Sequence, residues 1–155
     1  MQVALLYGKG TQSLRIPPGV DATIIRKPPM TVIDDPQSAV YDAIANPVGV
    51  GSLKGFAADA SSACIAVCDV TRPVPNQLFL RPLIDRLVES GIATENVSIV
   101  IATGLHRACE GTELQEVIGD PWVLEHVSVF NHDARNDADH VTLGRTTTSG
   151  TTVCH

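Results

Sequence analysis

The stretch that decides the fold is ACIAVCDVTRPVPNQLFLRPLIDRLVESGIATENVSIVIATG, residues 63–104. It opens on a short apolar run (63–68) bounded by polar residues, the mark of a buried strand. A stretch with helical spacing follows, its apolar face formed by Leu80, Leu83, Ile84, Leu87 and Val88, with Asn76 as the expected cap and Gly91 as the stop. Pro82 inside it predicts a kink or a later start. NVSIVIAT (96–103) is the next strand. Strand, helix and strand in succession call for parallel pairing with a crossover.

Working outward, Thr112-Glu113-Leu114-Gln115 has the spacing of a capping box, and Gly119 ends that helix. VSVFNH (127–132) reads as a third strand and DHVTLG (139–144) as a fourth. Upstream, QVALLY (2–7), QSLRI (12–16) and VDATIIRK (20–27) read as a small β-meander, with Pro17-Pro18-Gly19 as a turn. Asp34-Asp35-Pro36 opens a helix that Asn46-Pro47 stops, and a second short helix begins after Ser52. The expected fold is α/β: a mostly parallel, Rossmann-like sheet with flanking helices and a small N-terminal meander. The expected organisation is one domain over 1–155, with meander and short helices in 1–60 and the α/β part in 61–155. TTTSGTT reads as a turn or frayed edge, and the ending TTVCH as an incomplete fold prone to self-association.

Composition narrows the function. The chain has 155 residues, enough for a real core, and a net charge of -6 with no basic cluster, which argues against nucleic acid. Its apolar runs are too short to span a bilayer, and MQVALLYGKG has neither a basic leader nor a cleavage site, so a cytoplasmic protein is expected without membrane attachment. Cys64, Cys68, Cys109 and Cys154 form no C-x-x-C pair. Cys64 and Cys68, an even number apart in an apolar run, are expected to be buried on one strand face.

Ligands of open α/β sheets sit beyond the carboxyl ends of strands. Two loops qualify: Asp69-Val70-Thr71-Arg72-Pro73-Val74-Pro75 and Thr103-Gly104-Leu105-His106-Arg107. If their strands are neighbours, Arg72 and His106 share a crevice with Asp69 and Thr71. Arg72 offers a fork of donors to a carboxylate or phosphate, stiffened by the prolines beside it, unless it simply pairs with Asp69. His106 is a natural base near neutral pH, presented by the turn Gly104 permits. Arg107 reads as a solvated charge. His126, His132 and His140 match no metal-ligand spacing, although His132 ends a strand and remains a site candidate. No P-loop, dinucleotide fingerprint or G-x-S-x-G is present.

DVTRPVP (69–75) followed by IATGLHR (101–107) resembles the amino-terminal part of the nickel-dependent lactate racemase family, with its D-x-T-R-P-x-P and A-T-G-x-H-R loops. The likeness continues through GTELQEVIG and HDARNDADHVTLGRTTTSGT; the first sixty residues match in style, as in NPVG at 46–49. The resemblance implies interconversion of the stereoisomers of lactate, or a related 2-hydroxy acid, with a nickel-pincer nucleotide as cofactor. It implies His106 as catalytic acid/base, Arg72 as the holder of the substrate carboxylate, Asp69 as a residue orienting Arg72 or His106, and Thr71 as a hydrogen-bonding neighbour. It also implies a second histidine, a nickel-ligating histidine and a cofactor-linked lysine that this chain does not match: its lysines are Lys9, Lys27 and Lys54, and His155 fits no motif. No cofactor is therefore expected on this chain covalently, and no metal ligand is assigned to it. The chain reads as an amino-terminal domain or truncated form lacking a C-terminal part; the alternative is a stand-alone, non-catalytic module binding a carboxylate or a partner.

Overall fold

The computed structural model describes residues 1–154, with no account of the Cys154 side chain; His155 lies outside the described residues. The chain divides into two compact units, Met1–Val32 and a second from Ile33 onward.

In the first unit, β1 (Gln2–Tyr7) and β2 (Gly10–Arg15) form an antiparallel hairpin, extended by a hydrogen bond from Ile16 N to Met1 O at 2.8 Å. The expected third strand of the meander is absent: residues 20–27 carry no strand. Proline pairs at 17–18 and 28–29 bracket them and remove four ladder donors.

The second unit begins with α1 (Pro36–Ala45), capped by Asp35, whose carboxylate accepts from Ser38 N at 3.0 Å. The short α2 (Leu53–Phe56) is capped in the same way by Ser52. Then come β3 (Ala63–Cys68), α3 (Asn76–Glu89), β4 (Val97–Ala102), α4 (Thr112–Ile118), α5 (Pro121–His126) and β5 (Ser128–Asn131). The sheet is parallel in the order β3-β4-β5, with Ile65 opposite Ile99 and Ile99 opposite Val129. β6 (Thr142–Arg145) and β7 (Thr152–Cys154) make a separate antiparallel hairpin. The strand expected over 139–144 therefore leaves the parallel sheet, and the TTTSGTT segment becomes the hairpin's turn and the start of its second strand.

Alternation along each strand decides where the core lies. Val67, Val97, Ile99 and Ile101 are buried on one face with Leu80 and Ile84 of α3, Ile118 of α4 and Val123 of α5. Each fully buried aliphatic side chain contributes about 1.5–3 kcal/mol relative to exposure. The opposite face carries Cys64, Ala66 and Cys68 of β3 and Phe130 of β5, all exposed. The two cysteines do share a strand face, but it is the uncovered one; Cys109 is the buried thiol.

Local signals at the helix ends were partly displaced. Asn76 is the first helical residue instead of the cap, because Pro75 takes the cap position; its amide donates to Val117 O at 2.6 Å and ties α3 to α4. The capping box at Thr112 does not form: Gly111 is the cap and offers no side chain. Pro82 lies within a continuous α3. Gly91 and Gly119 follow their helices with φ of 106° and 69°, as their stop role requires.

Candidate active site

The two motif loops leave the carboxyl ends of neighbouring strands, β3 and β4, and meet in a crevice of about 260 Å³ that includes Asp69, Thr71, Arg72, Thr103, Gly104 and His106. Adjacency of parallel strands is what joins residues so far apart in the chain.

The first loop folds around Asp69. Its Oδ1 accepts from Thr71 N at 3.1 Å and from Thr71 Oγ1 at 2.6 Å, a local turn that aspartate favours. Arg72 N closes the turn on Asp69 O at 3.1 Å, and tight bonds from Val74 N to Arg72 O and from Asn76 N to Val74 O, both 2.9 Å, carry the chain through Pro73 and Pro75 into α3. Arg72 is exposed, and among the described residues it has no acidic partner. Its pairing with Asp69, one of the readings open from sequence, does not form.

The second loop turns at Gly104, with φ of 56°, and His106 N donates to Thr103 O at 3.0 Å. This brings His106 Nδ1 within 2.5 Å of Asp69 Oδ2. Asp69 is 6% exposed whereas the His106 side chain is 56% exposed. The bonds from the Thr71 hydroxyl, then from His106, hold the Asp69 carboxyl down to about 2 from an ordinary 3.8. Asp69 is therefore an ionised acceptor, and Nδ1 carries the hydrogen. When Nδ1 alone carries a hydrogen, Nε2 is left with a free lone pair. The pair is an imidazole oriented by a buried carboxylate, beside an arginine with no acidic partner among the described residues.

The remaining candidates make contacts within the protein. Arg107, expected to be a solvated charge, is exposed but pairs bidentately with Glu113 at 2.5 and 2.6 Å, which raises its own pKa and lowers that of Glu113. His126 stacks on Trp122 with centroids 4.4 Å apart, and Arg81 lies 3.7 Å from the Trp122 ring. His132 meets His140 edge-on and contributes its backbone, as acceptor of a 2.5 Å bond from Thr103 Oγ1. Among the described residues no three His, Cys, Asp or Glu side chains gather to hold a metal ion.

Sequence reasoning missed Asn131 and the buried Thr103, which fasten the second loop. Thr103 lay inside a recognised motif, but an asparagine at a strand end carries no periodic signal.

Compared with known families, residues 7–154 match the sequence model of the lactate racemase N-terminal domain. The chain belongs to this family. It is 31% identical over 114 residues to the lactate racemase of Thermoanaerobacterium thermosaccharolyticum, and 27% identical over 114 residues to that of Lactiplantibacillus plantarum. Each alignment covers 74% of this chain and 26% of the relative, so it spans about a quarter of the curated relatives' length. Among solved structures, the T. thermosaccharolyticum lactate racemase apoprotein superposes with a TM-score of 0.80 at 28% identity, covering 99% of this chain and 35% of the other. A Thermotoga maritima protein shares the fold at a TM-score of 0.54 and 20% identity, over 71% of this chain and 24% of its own. No helix among the described residues is long and apolar enough to cross a membrane.

Proposed function

We propose that this chain supplies one half of a racemase site for lactate or a closely related 2-hydroxy acid. The observation that carries the reading is the 2.5 Å contact of His106 Nδ1 with buried Asp69, at the mouth of a crevice shared with Arg72. Arg72 binds the substrate carboxylate through paired N–H donors. His106 Nε2 takes the proton of the C2 hydroxyl and returns it, and Asp69 stabilises the imidazolium formed in between. Thr71 fixes the Asp69 carboxylate so that its second oxygen faces the imidazole.

Inversion at C2 also needs a hydride acceptor, the chemistry that a nickel-pincer nucleotide supplies in the family this chain resembles. The residues present do not fit as its holder. No metal-ligand cluster exists among the described residues, and Lys54 borders a cavity with Arg86 and Glu89 at the far end of α3 from the crevice. Lys9 and Lys27 belong to the hairpin unit. We assign nickel ligation, the lysine anchor and the second base to other polypeptide, as the coverage of a quarter of the relatives' length permits.

Titration of the chain with L-lactate, followed by amide NMR, tests the proposal. Saturable shifts are expected at 69–72 and 103–106, and Arg72→Ala should weaken binding roughly ten- to hundredfold, as loss of a charged hydrogen bond implies. Equal affinity in Arg72→Ala would remove Arg72 from the site; no shift in either loop would overturn the crevice itself.

A further inference from the structure

The loop that carries His106 is fastened at both ends by two consecutive residues, Asn131 and His132, where β5 ends. At its start, Thr103 is 3% exposed and donates through Oγ1 to His132 O at 2.5 Å, while His132 N donates to Ile101 O at 3.0 Å. At its end, the Asn131 side chain lies along the Cys109 peptide: Oδ1 accepts from Cys109 N at 2.8 Å and Nδ2 donates to Cys109 O at 3.1 Å. Asn131 thus does with its amide what an adjoining strand would do with its backbone. Cys109 itself is 2% exposed. Residues 103–109, from one anchor to the other, contain no helix or strand.

At neutral pH a carboxamide meets both demands. It presents one donor and one acceptor at the spacing of a peptide edge; a carboxylate lacks the donor, and an aliphatic side chain lacks both. A loop without secondary structure, bearing a histidine that must reach a buried carboxylate, needs its path set from outside.

We infer that Asn131 is a positioning residue for the His106 base: by clamping the Cys109 peptide it sets the course of the loop and thereby delivers His106 Nδ1 to Asp69. This rests on the reading of His106 as the base. Asn131 contacts no reacting atom and acts through the loop alone.

Two readouts on the full chain test it. The first is the tautomer of neutral His106, read from its imidazole 15N shifts; the second is the native-state labelling rate of Cys109 by 4,4′-dithiodipyridine, with Cys64, Cys68 and Cys154 changed to Ser. In the parent chain His106 carries its hydrogen on Nδ1 and Cys109 reacts slowly. Asn131→Ala should move His106 toward the Nε2–H tautomer that an unconstrained histidine side chain favours, and speed Cys109 labelling roughly 10- to 100-fold, as expected for two lost hydrogen bonds. Asn131→Asp keeps the shape if the alanine variant does not fold. Its carboxyl reproduces the clamp only when protonated, so Cys109 labelling, normalised to the unfolded chain at each pH, should rise as that carboxyl ionises.

Unchanged labelling and an unchanged tautomer in Asn131→Ala would overturn the clamp while leaving the His106–Asp69 reading intact. An Nε2–H tautomer in the parent chain would overturn that reading, and the positioning role with it, even if Cys109 is released by the substitution.

Discussion

Gly119 is the position where one added methyl should be felt most. It ends α4 with φ of 69°, and a Cβ built there would lie 2.8 Å from the Cβ of Gln77, in the first turn of α3. Two costs combine in Gly119→Ala. Placing an L-residue in the left-handed region costs about 1–2 kcal/mol, and forcing two close-packed helix ends apart costs about 1–3 kcal/mol more. The clash cannot be relieved by a rotamer change, because the opposing atom is a Cβ. Gly104→Ala is the control: its φ is 56°, yet nothing lies within 4 Å of the added atom. It should therefore lose only the backbone share, about 1–2 kcal/mol, against about 2–5 kcal/mol for Gly119→Ala. Urea unfolding followed by circular dichroism measures both. The separation matters for the site because the start of α3 directly follows the Arg72 loop, and Asn76 ties that start to Val117 O. Equal destabilisation of the two variants would refute the close approach of α3 and α4 on which this reasoning stands.

Other predictions follow from the charges and the faces of the sheet. Because Asp69 titrates at about 2 when folded and near 3.8 otherwise, the stability it contributes is fully present above about pH 4 and disappears as pH falls from there to about 2. The stability difference between the parent chain and Asp69→Asn should shrink across that window; a difference that stays constant through it would count against the depressed carboxyl. With Cys154 changed to Ser, two thiols should react promptly with an aromatic disulfide, Cys64 and Cys68, while Cys109 waits for unfolding or loop opening. Prompt reaction of all three would contradict the burial of Cys109.

The strand-helix-strand order and the meeting of Asp69, Arg72 and His106 were legible in the sequence, for a simple reason. Apolar runs of strand length alternating with a helical period imply parallel neighbours, and loops at the same end of parallel neighbours converge. What the sequence concealed depended on partners. ACIAVC is apolar on both faces, so nothing in it says that Cys64 and Cys68 lie on the uncovered side; the usual parallel sheet, covered on both faces, argued the reverse. Residues 20–27 alternate well enough for a strand, yet a strand needs a ladder partner. DHVTLG is strand-like too, but its partner is the three-residue β7 instead of the parallel sheet. The helix α5 has its start signal in Asp120-Pro121, whose carboxylate accepts from Trp122 N at 2.9 Å, but a stop glycine immediately before it masks so short a helix. Within the site, the choice of Asp69 to orient His106 and not Arg72 turned on loop geometry, where a short aspartate already turned back on Thr71 has one oxygen left to offer.

The most direct test of the account is the interconversion of L- and D-lactate, followed by chiral chromatography, in the complete enzyme proposed above, with and without His106→Gln. Removing a positioned acid/base should slow turnover by roughly 10²- to 10⁴-fold while the unfolding transition stays cooperative. A His106→Gln protein that racemises lactate at the parent rate would contradict the assignment of the base, and with it the role of the Asp69–His106 pair.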